Sequence, residues 1–348
     1  MIPEPSRRGG RRARAVTRED LAAACSLSIS SVSLALNRHP RISHATQERV
    51  AEVAERIGFS PNQAARRLIR SRYKQRGGHF EQVALVVLDR TGQMLNDVYV
   101  AFFRGVERQT SVSGANMIFV RVSQPSDWDK VRRLVSAGAV DAFILAGEID
   151  REAAVRIQEH QLPWIVIGDH QIPGRVNAAD MDYRMGGRTV VERLARMGHR
   201  RIGLLGTTFQ FRYQKEIRDG FCQAVRRLKL DGDKALVEPN LSENWFRMGL
   251  SLKMLLKQKP TAIFFSEPGS AAAFSSRCKE LGMDLSQKMD VVFCELNPSL
   301  AAGIGSQVLH LAYEQVGQEG VTLLKELVMN PRKVARQVLV APAMVNPD

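Results

Sequence analysis

The most distinctive spacing of polar side chains lies near the N-terminus. The stretch SLSISSVSLALN, residues 26–37, carries serine or asparagine at most positions that stay outward when Val32 and Leu36 turn inward on a helix. Such hydroxyl and amide groups can donate to phosphate oxygens, and their small size allows close approach. The spacing therefore favours contact with a polyanion. An ordinary three-helix bundle with one polar side is the alternative.

Enzymatic signatures are missing from the sequence. It contains no Walker loop, no Gly-x-Gly-x-x-Gly after a strand, no Gly-x-Ser-x-Gly elbow and no His-Glu-x-x-His. Its four cysteines lack Cys-x-x-Cys spacing, and this favours reduced thiols over disulfides or a zinc site. No run approaches the roughly 18 apolar residues of a membrane span. We therefore expect a cytoplasmic protein that is not an enzyme and needs neither metal nor cofactor.

Positive charge is concentrated in the first part of the chain. Residues 1–78 contain 16 Lys or Arg against 6 Asp or Glu, a net charge of +10, so only +4 of the total +14 remains for the rest. A basic segment beside a nearly neutral body predicts a polyanion-binding module joined to a second domain. For residues 1–15 alone, a solvated and disordered basic tail is the simpler interpretation.

Three short helices are predicted over residues 16–59. Thr17 with Asp20 three residues later resembles a capping box, and CSLS breaks the first helix. Ser28 can cap a second helix, and Ser43 a third that Gly58 stops. The tight break between the first two helices is typical of a helix-turn-helix. Residues 60–81 are predicted to form a fourth, marginal helix followed by a linker.

From residue 82 onward, continuous apolar runs alternate with helical segments. Such strands predict parallel sheets that helices cover on both faces, and their number favours two α/β subdomains with a cleft between them. We expect one subdomain near 82–175 and 307–330, and the other near 176–306 and 331–348. The helices predicted between the strands include one at 214–228. The predicted strands lie at 83–88, 116–122, 140–147, 163–169, 201–206, 235–237, 261–266, 290–295 and 336–341.

A family resemblance extends without gaps over more than fifty N-terminal residues. The segment VTREDLAAACSLSISSVSLALN resembles the V-T-x-x-D-V-A-x-x-A-G-V-S-x-x-T-V-S-R-x-L-N pattern of the LacI/GalR repressor headpiece. GFSPNQAARRL likewise resembles G-Y-x-P-N-x-x-A-R-x-L. The resemblance implies an all-α helix-turn-helix headpiece joined to a periplasmic-binding-protein-like core of two parallel-sheet subdomains. It also implies a homodimer that binds a pseudo-palindromic DNA operator under the control of a small-molecule effector.

The resemblance assigns DNA contacts to residues of the headpiece. Ile29, Ser30 and Leu34 occupy base-reading positions; the family usually presents arginine where Leu34 stands. The positions expected to hold the DNA backbone are Thr17, Ser28, Ser31, Ser33, Asn37, Ser43 and Thr46.

PNQAARRL looks like the family's hinge helix, which folds on DNA as a dimer pair. By that resemblance Ala65 faces the minor groove and Leu68 wedges into a base step, with Asn62 and Arg66 as further DNA contacts.

The core resembles the family less specifically and departs from it at the effector site. Ile217 stands where many members carry an effector-gripping arginine, Ser266-Glu267 replaces Asn-Asp, and Phe293-Cys294-Glu295 replaces Gly-Phe-Asp. A sugar or sugar derivative remains the expected class of effector, although these changes alter the usual Arg-plus-Asp geometry. The candidate effector contacts are Asp89, Asp169, Arg218, Trp245 and Glu267.

An exported solute-binding protein is the main alternative, because its core would have the same fold. That alternative predicts a cleavable leader in place of a basic headpiece. An enzyme built on this core is a more distant alternative.

Overall fold

We describe the protein from a computed structural model. The described residues are 18–36, 42–57, 80–92, 97–206, 212–231, 236–239, 252, 255–272, 274, 276, 289–302, 307–330 and 334–346. Several predictions fall outside them, namely the basic tail, the hinge helix, Thr17, Asn37, Asn62, Ala65, Arg66, Leu68, Trp245 and the side chain of Ser33. Phe80 is buried, so the predicted linker ends before it and not at residue 81.

The headpiece consists of three helices around a small apolar core. These are α1 (Arg18–Cys25), α2 (Ile29–Leu36) and α3 (His44–Arg56). The side chains that form the core come from all three helices, and they are Leu21, Ala22, Cys25, Val32, Ala35, Val50, Val53 and Ala54. Val50, Val53 and Ala54 form the inward face of α3, and the two helices before it meet at a tight turn.

The turn between α1 and α2 has an unusual backbone conformation. Ser26 has a φ of 53°, in the left-handed region, at the position where the family pattern carries glycine. Two residues later, the Oγ of Ser28 accepts the N–H of Ser31 at 3.0 Å and so caps α2, as predicted. The predicted cap of α3 is also confirmed, because the Ser43 hydroxyl accepts the N–H of Thr46 at 3.3 Å.

No single helix among the described residues is both long and apolar enough to cross a bilayer. Helices α1 and α2 meet that length and composition only as a pair, which is bent by 93° at their turn.

The first sheet of the core has six parallel strands. In spatial order they are β11 (Gln337–Val340), β5 (Ala178–Met181), β4 (Trp164–Ile167), β3 (Ala142–Gly147), β1 (Gln82–Leu88) and β2 (Asn116–Val122). Leu85 of β1 lies opposite Phe119 of β2 on one side and Ile144 of β3 on the other. The helices of this part of the chain are α4 (Asp97–Val112), α5 (Trp128–Ser136), α6 (Arg151–Gln158) and α9 (Tyr313–Met329).

The second sheet also has six strands. Their order is β12 (Ala343–Val345), β10 (Gln307–His310), β9 (Asp290–Glu295), β8 (Ala262–Phe265), β6 (Ile202–Gly206) and β7 (Leu236–Pro239). All neighbours are parallel except the edge pair of β10 and β12, which is antiparallel. Helices α7 (Tyr183–Arg196) and α8 (Arg212–Arg227) belong to this half. We call the halves built on the two sheets the first and the second subdomain.

Strand pairing corrects the predicted subdomain boundaries. The expected division assigned β5 and β11 to the second subdomain and β10 to the first, and each assignment is wrong. The chain instead changes sheets after Met181, after His310 and again after Val340. No separate strand was predicted for β5, β10 or β12, because each has only three or four residues and includes polar or small side chains.

Close helix packing at glycines stabilises the second subdomain. A Cβ atom on Gly187 of α7 would lie 2.0 Å from the carbonyl oxygen of Ile217 in α8. A Cβ atom on Gly220 of α8 would lie 1.9 Å from the carbonyl oxygen of Arg184 in α7. The two backbones therefore touch, and the N-terminal ends of α7 and α8 are held at a defined distance.

The first subdomain uses the same arrangement where α4 crosses α9. A Cβ atom on Gly105 would lie 1.9 Å from the carbonyl oxygen of Glu314, and one on Gly317 would lie 2.4 Å from that of Phe102. Each subdomain thus has one helix pair whose crossing admits only glycine.

Candidate functional site

The outward side of α2 is small and uncharged. Val32 and Ala35 are buried in the headpiece core, whereas Ile29 is 46 % exposed and Ser30 is also exposed. Leu34 is partly exposed, and α2 contains no acidic or basic side chain. This surface can offer hydroxyl groups and apolar contact, but it cannot offer a charge from its own helix.

Paired hydroxyl groups mark the N-terminal ends of α2 and α3. The hydroxyl oxygens of Ser28 and Ser31 are 2.8 Å apart, and those of Ser43 and Thr46 are 2.9 Å apart. Each pair stands at a helix end where unpaired N–H groups and the helix dipole favour an anion. These are four of the seven positions at which the family resemblance predicts contact with a DNA backbone.

We expect Ser28→Ala to lower the stability of the headpiece by about 1 kcal/mol, because it removes the cap of α2. Ser26→Gly is a companion substitution in the same turn. It should raise stability by up to about 1 kcal/mol, since glycine adopts the left-handed conformation without steric cost. Amide hydrogen exchange of α1 to α3 in the full-length chain measures both changes. Equal effects of the two substitutions would contradict the assignment of cap and turn.

Carboxylates line the carboxyl end of the first sheet. Asp89 follows β1, Glu148 follows β3, Asp169 follows β4 and Asp180 lies within β5. The carboxyl ends of parallel strands share one edge, where open α/β sheets bind ligands. We call these four residues the acidic edge. Tyr99 lies beside them, and its pKa is raised to about 12, first by burial and then by these carboxylates.

The guanidinium of Arg212 spans the two subdomains. Arg212 begins α8 in the second subdomain, yet its Nε donates to Asp169 at 2.5 Å and its Nη2 donates to Asp180. Its Nη1 donates to Glu216 one turn along the same helix, at 3.0 Å. Three carboxylates thus surround one guanidinium, and two of them belong to the opposite subdomain.

Burial and the neighbouring charges together determine which groups of this ion cluster are protonated. Asp180 is 2 % exposed, and burial raises its pKa to about 7 even though Arg212 pulls it down. Burial alone would lower the pKa of Arg212, but Asp180, Asp169 and Glu216 together raise it above its ordinary value. The guanidinium therefore stays charged, while Asp180 exchanges its proton near neutral pH.

Side chains of the second subdomain face the cleft from the other side. Glu267 follows β8 and accepts hydrogen bonds from the Tyr213 hydroxyl at 2.9 Å and from the Gln214 amide at 3.2 Å. Glu295, at the end of β9, accepts the N–H groups of Gly269 at 2.9 Å and Ala271 at 3.0 Å. Glu295 is therefore a structural cap for the helical segment that begins there.

A row of aromatic rings joins the subdomains where the chain crosses between them. Tyr183 begins α7 and Tyr313 begins α9, and the buried Tyr183 hydroxyl donates to the Tyr313 hydroxyl at 3.1 Å. The ring of Tyr213 lies 5.6 Å from that of Tyr183, and the ring of Phe102 lies 4.9 Å from that of Tyr313. These rings give the cleft a rigid apolar base beside its charged groups.

The structure brings some predicted effector contacts together and separates another from them. Asp89 and Asp169 lie in the acidic edge, and Glu267 lies on the facing subdomain. Arg218 instead has its guanidinium 3.5 Å from Asp219, and the guanidinium that reaches the acidic edge is that of Arg212. The prediction missed Arg212 because it starts α8 two residues before the predicted helix.

The part of the chain that the structure describes contains no candidate metal site. No group of three or more His, Cys, Asp or Glu side chains there has an arrangement that could hold a metal ion.

Two family models match separate parts of the chain. Residues 17–62 match the model of bacterial regulatory proteins of the lacI family, and residues 191–346 match that of a periplasmic binding protein-like domain. The HTH-type transcriptional regulator RafR of Escherichia coli is 25% identical over 76% of this chain and 78% of its own. Catabolite control protein A of Priestia megaterium is 23% identical over 80% and 81%.

Solved structures share a similar fold over most of the chain. A complex of the transcriptional regulator CelR with cellobiose covers 94% of this chain and 98% of its own, with a TM-score of 0.61 at 19% identity. The lac repressor dimer bound to operator and an anti-inducer covers 96% and 98%, with a TM-score of 0.60 at 17% identity. The chain thus combines a helix-turn-helix domain of the lacI family of bacterial regulatory proteins with a periplasmic binding protein-like domain, and the relatives that it resembles are transcriptional regulators.

Proposed function

We propose that this regulator binds a pseudo-palindromic operator as a homodimer, and that a small molecule in the cleft between its subdomains controls operator affinity. The observation that carries the proposal is the pairing of an exposed, uncharged α2 surface with a cleft in which Arg212 bridges the two subdomains. The lac repressor, which has a similar fold, is a dimer on its operator. Dimeric binding matches the two-fold symmetry of such a site.

The headpiece would read DNA with α2 in the major groove. Ile29, Ser30 and Leu34 would contact base edges, while the hydroxyl pairs at the ends of α2 and α3 would donate to phosphates. The remaining predicted DNA contacts lie outside the described residues, and they are Thr17, Asn37, Asn62, Ala65, Arg66 and Leu68. Ser33 lies on α2 between the base-reading positions.

The effector would bind between the acidic edge and Glu267. The relative CelR is complexed with cellobiose, and another relative is named as a regulator of a maltose regulon, which supports a sugar or sugar derivative here. A ligand that binds one arrangement of the subdomains more tightly shifts the operator-binding equilibrium by about 1–3 kcal/mol in typical cases. Asp89, Asp169 and Glu267 are the predicted contacts that fit this role. Arg212 takes the place of Arg218 as the arginine that contacts the effector.

We also propose that the protein acts in the cytoplasm, and that it neither catalyses a reaction nor needs a cofactor. The relatives are transcriptional regulators, and a protein that reads chromosomal DNA must be in the compartment that contains it.

Selection of bound sites from random DNA tests the proposal directly. We expect the full-length protein to recover two half-sites in inverted repeat. Leu34 can offer apolar contact to a thymine methyl but no bidentate grip on guanine. The half-site should therefore lack an invariant guanine opposite Leu34, and Leu34→Ala should reduce selectivity at that base pair by roughly 1 kcal/mol.

The other positions of the half-site serve as the internal control, because Leu34→Ala should leave them unchanged. Recovery of unrelated sequences would contradict sequence-specific binding. A motif with an invariant guanine that relaxes in Leu34→Ala would contradict the role given to Leu34.

A further inference from the structure

The acidic edge has more negative charge than its neighbours neutralise. Among the described residues, Arg121 and Arg212 are the only cations within ion-pair distance of Asp89, Glu148, Asp169 and Asp180. Arg212 is moreover shared with Glu216. The cluster therefore keeps a net negative charge, and in a partly buried cleft such a charge attracts cations and repels anions.

One oxygen of the acidic edge is buried and unpaired. Asp89 is 2 % exposed, and Arg121 contacts its Oδ2 through Nε at 2.7 Å and Nη2 at 2.5 Å. The Oδ1 of Asp89 has no hydrogen-bond partner in the part of the chain that the structure describes. A buried carboxylate oxygen without a donor is costly, so an N–H or O–H group of a ligand would stabilise it.

The guanidinium group that pairs with Asp169 and Asp180 comes from the other subdomain. Arg212 stands on α8, whereas both carboxylates belong to the first sheet. All three of its guanidinium nitrogens already donate to carboxylates. Arg212 thus has the geometry of a tethered ligand. A diffusible cation and Arg212 would compete for the same two acceptors.

We propose that the acidic edge is a subsite for a cationic nitrogen, and that Arg212 fills it from the opposite subdomain when no effector is bound. An effector that carries a protonated amine or a guanidinium, such as an aminated sugar derivative, replaces Arg212 there and releases the bridge between the subdomains. Effectors with phosphate or carboxylate groups are disfavoured at this edge. The link to operator affinity rests on the proposed function, but the cation subsite itself does not.

Chemical rescue of Arg212→Ala tests the subsite without knowledge of the effector. The probe is N-ethylguanidinium at millimolar concentration, and N-ethylurea is its neutral, nearly isosteric control. We expect ethylguanidinium to raise the melting temperature of the full-length Arg212→Ala protein by roughly 2–4 °C or more over its effect on the wild type. Ethylurea should produce no such difference.

Two further variants make the result specific. Arg218→Ala removes a guanidinium from the same helix and should show no rescue. Arg212→Ala/Asp169→Asn should lose most of the rescue, because half of the acceptor pair is neutral. If Arg212→Ala does not fold unaided, ethylguanidinium and not ethylurea should recover folded protein on dilution from denaturant.

Equal responses to ethylguanidinium and ethylurea would overturn the cation subsite, as would full rescue of the double variant. This outcome is separate from failure of the proposed function. A protein that selects no DNA sequence can still show rescue, and a protein that selects an operator can fail to show it.

Discussion

Gly187→Ala should lower the free energy of unfolding of the core by about 3 kcal/mol, because the new Cβ would lie 2.0 Å from a backbone carbonyl oxygen of α8. A flexible side chain could move aside, but the backbone of a packed helix cannot do so cheaply. The substitution would push apart the two helices that carry Tyr183 and Arg212. We therefore expect the contact of Arg212 with the acidic edge to be lost as well.

The adjacent residue is a matched control on the same helix. A Cβ atom on Gly186 would lie 3.1 Å from side-chain atoms of Leu309 and Pro342, which can shift slightly. Alanine also favours the helix over glycine by about 1 kcal/mol. Gly186→Ala should therefore change stability by less than about 1 kcal/mol. Denaturant unfolding of both full-length variants measures the difference, and similar losses would show that the α7–α8 crossing is not the cause.

Arg212→Ala should destabilise the core by about 2–3 kcal/mol, because it leaves the buried carboxylate of Asp180 without its cation. Removing one partner of a fully buried ion pair costs about 3–5 kcal/mol. The expected value is smaller because Arg212 and Asp169 are each about one third exposed. Part of the loss is also offset when Asp180 binds a proton, because removing Arg212 takes away the charge that holds the pKa of this buried carboxyl down.

Arg218→Ala provides the comparison for Arg212. Arg218 is partly exposed and lies 3.5 Å from Asp219, so its removal should change stability by no more than about 0.5 kcal/mol. Urea unfolding at pH 8 tests both, since most of Asp180 is ionised there in the wild-type protein. Equal effects of the two substitutions would mean that Arg212 does not hold the subdomains together, and a larger loss for Arg218→Ala would restore it as the main cleft arginine.

Local patterns were enough to predict the headpiece. Helix α2 was predicted with its cap at Ser28, and α3 with its cap at Ser43, because capping depends on residues only three positions apart. The buried strands of the core were also predicted, since a strand covered on both faces is apolar along its whole length. Short strands such as β5 were missed. The polar Asp180 in its middle is tolerated only because Arg212 reaches it from elsewhere.

The three-helix headpiece, the two-sheet core and the position of Asp89 and Asp169 at strand ends could all be predicted from the amino-acid sequence. These features follow from periodicity, capping and motifs that extend over a few residues. Which strands join which sheet, and which arginine faces the acidic edge, could be read only from the folded chain. Arg212 and Arg218 lie on one helix and differ little in sequence context. Their roles depend on how α8 is rotated and how closely it approaches α7. The backbone contact at Gly187 and Gly220 sets this geometry, and the two glycines lie far apart in the sequence.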